Sequence, residues 1–319
     1  MGEQVTETAA DLQVPLPESC DWCPRCCHAD RSAGARGYCG ADNTLRIARA
    51  ALHFWEEPCL SGERGSGTIF FSHCPLRCCY CQNALIASGE VGREITVRRL
   101  ADICLELQAQ GALNINMVTP THYAAHIRVA VADARARGLA LPVVYNTSGF
   151  ETVEAVRAAA DTCDIWLTDF KYASSALAAK FSSAPTYPKV ALPALDAMVA
   201  QTGEARFDEV DGAPRMLRGI IVRHLLLPGH LDDSLAVVRL LHERYGDAIR
   251  LSLMNQYTPV IPQDNPAARR YPELLQQVPD EDYERLLDFA DGLGISEYYW
   301  QDGPAAAESF IPAFDYTGV

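Results

Sequence analysis

From about residue 63 onward, short uncharged apolar runs alternate with longer stretches in which apolar residues recur at helical spacing. The runs predict strands at Thr68–Phe71, Asn114–Val118, Leu141–Tyr145, Asp164–Thr168, Gly219–Leu227 and Arg250–Met254, with a further strand at Ile295–Tyr299. Between them, helices are predicted from Thr96 to about Gln110, over His122–Arg137, Thr152–Ala160, about 173–182, about 193–202, Asp232–Tyr245 and Asp280–Gly292. Thr96 can cap the first of these. Its Leu100, Ile103, Cys104 and Leu107 share a face, and Gly111 stops it. Mostly uncharged strands in repeating strand–helix units mean a parallel sheet covered by helices. The expected fold class is therefore α/β, as an incomplete (β/α)6-type TIM barrel with a small cysteine-rich N-terminal module. A doubly wound open sheet is the alternative, but no G-x-G-x-x-G follows a strand to mark a dinucleotide site. The expected division is a flexible leader (1–18), a cysteine-rich module (19–62), the barrel (63–302) and a C-terminal tail (303–319).

Composition narrows the function classes. The 319 residues hold 27 Lys and Arg against 41 Asp and Glu, a net charge of −14. That balance argues against nucleic acid or an anionic membrane as partner, since both select cationic surfaces. The start, Met1–Leu12, is polar and acidic, unlike a secretory signal. No run reaches the roughly 18 apolar residues of a membrane span. A cytoplasmic protein with reduced thiols is expected. Twelve cysteines then stand out, because a chain this long can bury a full core without disulfides. Cys104 and Cys163 fall in apolar patterns and read as core, and Cys59 is ambiguous.

Two cysteine clusters remain. Cys74, Cys78 and Cys81 have the spacing C-x3-C-x2-C, directly after the strand Thr68–Phe71. Three thiolates on one short loop can cap three irons of a [4Fe–4S] cube and leave the fourth iron open, where closed cubes take four cysteines. A zinc site completed by His73 or Cys79 is the competing reading. In the first cluster, Cys20, Cys23 and Cys26 have ferredoxin-like C-x2-C-x2-C spacing.

The C-x3-C-x-aromatic-C text resembles the radical S-adenosylmethionine (SAM) superfamily. Further segments, 51–74 (ALHFWEEPCLSGERGSGTIFFSHC), 81–83 (CQN), 111–123 (GALNINMVTPTHY), 142–151 (PVVYNTSGFE), 164–172 (DIWLTDFKY), 221–229 (IVRHLLLPG) and 251–259 (LSLMNQYTP), resemble the pyruvate formate-lyase activating enzyme family over about Cys20 to Val319. The resemblance implies a [4Fe–4S] cluster and SAM as cofactors. It implies reductive cleavage of SAM to methionine and a 5′-deoxyadenosyl radical, which takes hydrogen from a substrate. It also implies flavodoxin or ferredoxin as electron donor and a glycyl radical enzyme as substrate. Another protein, a peptide or a small molecule is the alternative substrate. A non-catalytic iron–sulfur electron carrier or metal-binding protein is the rival from another class.

Mapped on the resemblance, the first cluster becomes Cys20, Cys23, Cys27 and Cys39 with Arg31, and Cys26 is extra. Zinc, a closed second cluster and a metal-free arm all stay open for it. The resemblance also implies cofactor contacts. Related activases carry Gly-Gly-Glu-Pro where this chain reads Val118-Thr119-Pro120-Thr121, so backbone carbonyls and the Thr119 or Thr121 hydroxyls would replace that Glu. Asn146, Thr147, Asp169 and Lys171 match positions near the SAM carboxylate, Asn146 standing where those enzymes use Asp. Asn83 matches a cofactor contact, and Tyr80 can stack near adenine. Arg223 and His224 have opposite parity on a strand, so one alone can face inward, and Arg223 is the expected one. Gln256 is a further adenosine candidate, and His122 and Tyr145 are candidates for the substrate side.

Overall fold

The computed structural model describes residues 11–262, 264–301 and 311–319. Most of the expected leader, the expected barrel end at 302 and much of the expected tail lie outside the described residues. Ten strands form the sheet: β1 (Arg46–His53), β2 (Ser66–Phe71), β3 (Arg93–Glu94), β4 (Ile115–Val118), β5 (Val143–Thr147), β6 (Ile165–Asp169), β7 (Arg206–Val210), β8 (Ala213–Leu225), β9 (Arg250–Met254) and β10 (Tyr298–Tyr299). The helices are α1 (Pro58–Ser61), α2 (Ala84–Ser88), α3 (Val97–Ala109), α4 (Ala124–Ala136), α5 (Val153–Ala158), α6 (Ser175–Ser182), α7 (Tyr187–Thr202), α8 (Leu231–Tyr245), α9 (Pro266–Arg270) and α10 (Asp280–Gly292). No helix among the described residues is long and apolar enough to cross a membrane.

The strand order is β10-β9-β8-β6-β5-β4-β2-β1-β3. From β2 through β10 all pairs on this path are parallel. The order follows the sequence without the reversal that a doubly wound sheet requires, so that alternative is set aside. Both β2 and β4 are buried at every position, as the uncharged runs predict for strands covered on both faces. The Thr96 cap also forms, its hydroxyl accepting from the Arg99 N–H at 3.0 Å.

Three expectations change. β1 was not predicted, and it pairs antiparallel with β2, so part of the stretch assigned to the cysteine-rich module belongs to the sheet. Its pattern is weak because Arg46 and Arg49 interrupt it and most of its positions are only partly buried. The strand expected at Gly219–Leu227 begins earlier, at Ala213, because β7 folds back on it. The turn is Asp211-Gly212, both with positive φ (54° and 79°), the Asn/Asp-Gly signature of a tight hairpin. The helix expected from about 193 starts at Tyr187 instead. It takes Pro188 in its first turn and tolerates Pro193 inside.

The two faces of the sheet have different tasks. Ile115, Met117, Val143, Tyr145, Trp166, Ile220 and Val222 pack in the main core with Leu100, Ile103, Cys104 and Leu107 of α3 and with other helical side chains. On the other face, Val144, Ile165, Leu167 and Ile221 close around Cys59 and Leu60 of α1 and Met216. Cys59 is thereby a packing residue, 2% exposed. A cavity opens at the carboxyl ends of the strands.

Candidate active site

The loop after β2 carries Cys74, Cys78 and Cys81, and all three line the cavity at those carboxyl ends. Two non-glycine residues in left-handed conformation, His73 (φ 74°) and Arg77 (φ 57°), wind this loop. Leu76 N–H donates to the Cys74 sulfur at 3.4 Å, and Ser182 Oγ donates to Cys78 at 3.1 Å. That serine continues into a hydroxyl chain, with Tyr172 at 2.7 Å and Tyr80 at 2.8 Å beyond it. Burial pushes the Cys74 thiol up to about 11 and Cys81 to about 12, with Cys78 adding to both. Such thiols ionise when something cationic binds them. His73 and Cys79, the residues that would complete a zinc site, do not line the cavity. His73 packs against His122, and the Cys79 N–H donates to the Phe181 carbonyl at 2.8 Å.

Facing the cysteines are residues from three strand ends. Asn146 and Thr147 end β5 and Ser148 follows it, Asp169 ends β6 with Lys171 two residues beyond, and Thr119 follows β4. Thr119 has φ 61°, a costly conformation for a β-branched residue, and its N–H donates to the Asn146 carbonyl at 2.9 Å. Gly149 (φ 74°) lets β5 turn beside Asp169. A Cβ there would lie 2.1 Å from the Asp169 carbonyl oxygen. Lys171 Nζ meets Asp169 at 2.5 Å. Burial lowers the Lys171 pKa, but Asp169 and the neighbouring Cys78 and Cys81 outweigh it and hold the pKa above the usual range. Tyr80, Asn83 and Gln256 complete this part of the lining. Asn83 Oδ1 is buried without a hydrogen-bond partner. Gln256 is held by Gln301, whose Nε2 donates to it at 2.8 Å.

The cavity floor carries charges that sequence reasoning missed. Arg223 Nε and Nη2 each donate to Glu57 at 2.7 Å, and Nη2 also meets Glu56. Asn116 Nδ2 donates to Glu56 at 2.8 Å. Arg223 faces inward as expected, and His224 turns outward to the Phe170 carbonyl at 2.7 Å. The signal was available: two adjacent glutamates in the apolar stretch 54–60 (FWEEPCL), where charge without a partner is too costly to bury.

Four candidates fall elsewhere. Pro120 and Thr121 lie beyond the cavity lining, and the Thr121 hydroxyl donates to Glu151 at 2.6 Å instead. His122 is buried against the Ser72 carbonyl at 2.7 Å, and burial lowers its pKa to about 3. Tyr145 packs edge-on against Trp166 behind the sheet, because its parity on β5 opposes that of Asn146.

Glu151 is buried with the Thr121 hydroxyl as its hydrogen-bond partner, and burial pushes its carboxyl up to about 8. An unfolded Glu loses its proton near 4.5, whereas the native one keeps it to about 8. Stability is therefore expected to fall as pH rises through that window, at up to ~1.4 kcal/mol per pH unit. Glu151→Gln should flatten that dependence and stabilise the protein at pH 8 by roughly 2–4 kcal/mol. Urea midpoints at pH 5 and pH 8 test this. An unchanged pH slope in the variant would refute it.

The N-terminal cysteines lie together against the far side of the Cys74 loop. Cys20 and Cys39 are buried, Cys23 and Cys27 are partly buried, and Cys26 is exposed. Burial first, then Glu151, Cys39 and Cys20, push Cys23 up to about 12. Cys20 is raised by burial and by Cys27 and Cys39. Among the described residues, no three His, Cys, Asp or Glu side chains close on a single point as ligands of one ion. Cysteines that each bind a different iron of a cube do not need to.

No family model matches the chain. An uncharacterized protein of Methanocaldococcus jannaschii is 25% identical over 314 residues, a match spanning 93% of this chain and 82% of that protein. Among solved structures, a radical SAM methyltransferase from Sphaerobacter thermophilus is similar with a TM-score of 0.50 and 15% identity, over 76% of this chain and 69% of that one. Streptococcus suis SuiB bound to SAM is similar with a TM-score of 0.48 and 12% identity, over 72% of this chain and 47% of SuiB. The methyltransferase likeness shows a shared mixed α/β fold with a parallel sheet.

Proposed function

We propose that the chain is a radical SAM enzyme whose singly wound sheet is the partial barrel of that class. The observation that carries this reading is the placement of Cys74, Cys78 and Cys81 on one wall of the cavity, facing polar groups from three strand ends. Those cysteines would hold a [4Fe–4S] cluster. When bound, the cluster supplies the electron that cleaves SAM to methionine and a 5′-deoxyadenosyl radical.

The chain's own residues bind and orient. Lys171, kept charged by Asp169, pairs with the SAM carboxylate. The Asp169 carboxylate and the carbonyl at strained Thr119 accept from its ammonium group, in place of the absent Glu. Asn146 and Thr147 add hydrogen bonds beside them. Tyr80, Asn83 and Gln256 would take the adenosine. Arg223 is engaged by Glu56 and Glu57, so its part is to hold Glu56 at the cavity floor. The apolar cluster around Cys59 and Leu60 excludes water. Flavodoxin or ferredoxin is the proposed donor. A glycyl radical enzyme is the proposed substrate, as the sequence resemblance implies.

Protein with a reconstituted cluster, reduced by dithionite without oxygen and given SAM, should form 5′-deoxyadenosine and methionine. A full cluster with neither product would overturn the proposal. A glycyl radical seen by electron paramagnetic resonance in a co-purified partner would establish the activase role. Turnover with a different class of substrate would replace it.

A further inference from the structure

Two of the N-terminal cysteines, Cys20 and Cys39, lie near Arg31, which makes no ion pair with a carboxylate among the described residues. Arg31 is fully buried. Its Nε donates to the Asp42 carbonyl at 2.7 Å, its Nη2 to the His122 carbonyl at 3.3 Å, and its guanidinium lies over the Trp22 ring. Its Nη1 is buried with no partner. The Asp42 carboxylate turns to Arg36 at 3.4 Å. A guanidinium removed from water is costly unless an anion compensates it. The groups within its electrostatic reach include the sulfurs of Cys20 and Cys39. Neutral thiols offer little compensation, whereas thiolates offer full charges.

The backbone also makes room for sulfur. A Cβ on Gly37 would stand 2.9 Å from the Cys27 sulfur and 3.8 Å from that of Cys39. Glycine at this turn therefore lets both sulfurs approach the same stretch of chain. Cys26 takes no part, since its sulfur faces the Cys23 carbonyl at 3.6 Å on the exposed side.

We propose that Cys20, Cys23, Cys27 and Cys39 hold an iron–sulfur cube as thiolates, one sulfur to each iron, with Arg31 as its buried countercharge. Four thiolates around an oxidised [4Fe–4S] cube leave a double negative charge, which Arg31 offsets. The centre also braces the neighbouring loop. Arg25, between Cys23 and Cys26, donates to the carbonyls of Pro75 (2.9 Å), Leu76 (3.0 Å), Ser182 (3.0 Å) and Ser183 (2.6 Å). Arg77 returns a bond to the Cys39 carbonyl at 3.0 Å. Ordering residues 20–39 thus orders the backbone between Cys74 and Cys78.

The test uses the full chain with Cys74, Cys78 and Cys81 all changed to alanine, purified without oxygen and assayed for zinc, iron and acid-labile sulfide. One centre per chain is expected. Iron with acid-labile sulfide supports the proposal, and zinc alone overturns it. Adding Cys27→Ser and Cys39→Ser should lower the metal at least tenfold. Arg31→Met should lower its retention against a chelator about tenfold, and Arg31→Lys should restore it. Less than a tenth of an equivalent of metal in protein with wild-type circular dichroism would overturn the proposal. Should the triple variant misfold, native wild-type protein is alkylated with and without a chelator. Cys23 and Cys27 should react only after chelation, and reaction before it overturns the assignment. None of these readouts needs SAM, so the proposal can fail or hold apart from the radical reading.

Discussion

Replacing Cys74, Cys78 or Cys81 singly with alanine is expected to lower 5′-deoxyadenosine formation about 1000-fold or more, ~4 kcal/mol of activation free energy. The three sulfurs share one wall of the cavity, and the neighbouring thiol does not. Cys79 is anchored through its backbone to Phe181 and stands outside the lining, so it cannot replace a lost ligand without unwinding the loop. Cys79→Ala is therefore the matched control and should keep activity within about threefold, ~0.7 kcal/mol. Iron content, read in the same samples, should fall in the three ligand variants and not in the control. Activity retained by Cys74→Ala would disprove the ligand assignment, and equal loss in Cys79→Ala would point to zinc-like use of all four thiols.

The second large effect concerns stability. Arg223→Met is expected to cost about 3–5 kcal/mol, because it leaves Glu56 and Glu57 buried without their cation. Adding Glu56→Gln and Glu57→Met should recover most of the loss, since removing the whole network removes the desolvation problem too. Urea unfolding of the single and triple variants measures both. The pH dependence gives an independent check. Burial raises the Glu57 pKa, but Arg223 outweighs burial and holds it below its ordinary 4.5. The native carboxyl thus releases its proton more readily than the unfolded one. The contribution is full above about 4.5 and lost as pH falls through the lower native value. In Arg223→Met burial wins, the native pKa rises, and the variant should lose stability as pH increases. A variant with the wild-type pH slope would show that Arg223 does not set the Glu57 charge.

Much of this was legible before any coordinates. Periodicity located the parallel strands because their two faces are both covered, which leaves runs without charge. Cysteine spacing singled out the loop, and the three thiols at that spacing do line one cavity. Parity allows one of Arg223 and His224 to face inward, and the choice of Arg223 rests on its charge as a partner for a carboxylate. The same rule, applied to β5, would have sent Tyr145 behind the sheet once Asn146 faced the cavity. The Asp211-Gly212 turn was also readable and was passed over. Arg31 was singled out by the resemblance, but nothing in the sequence said that it would be buried with an unpartnered nitrogen.

What the amino-acid order determined by itself is local: which segments extend, which coil, where thiols sit along one loop, and which neighbours on a strand oppose each other. Steric preference, side-chain period and ligand spacing act over a few residues, so they can be read one segment at a time. The tertiary structure alone decided which charges meet. Glu56 and Glu57 reach Arg223 across 167 and 166 residues, and Arg25 reaches Ser183 across 158. Burial and electrostatics depend on what the fold places around a group, and those surroundings come from strands and loops far apart in the chain.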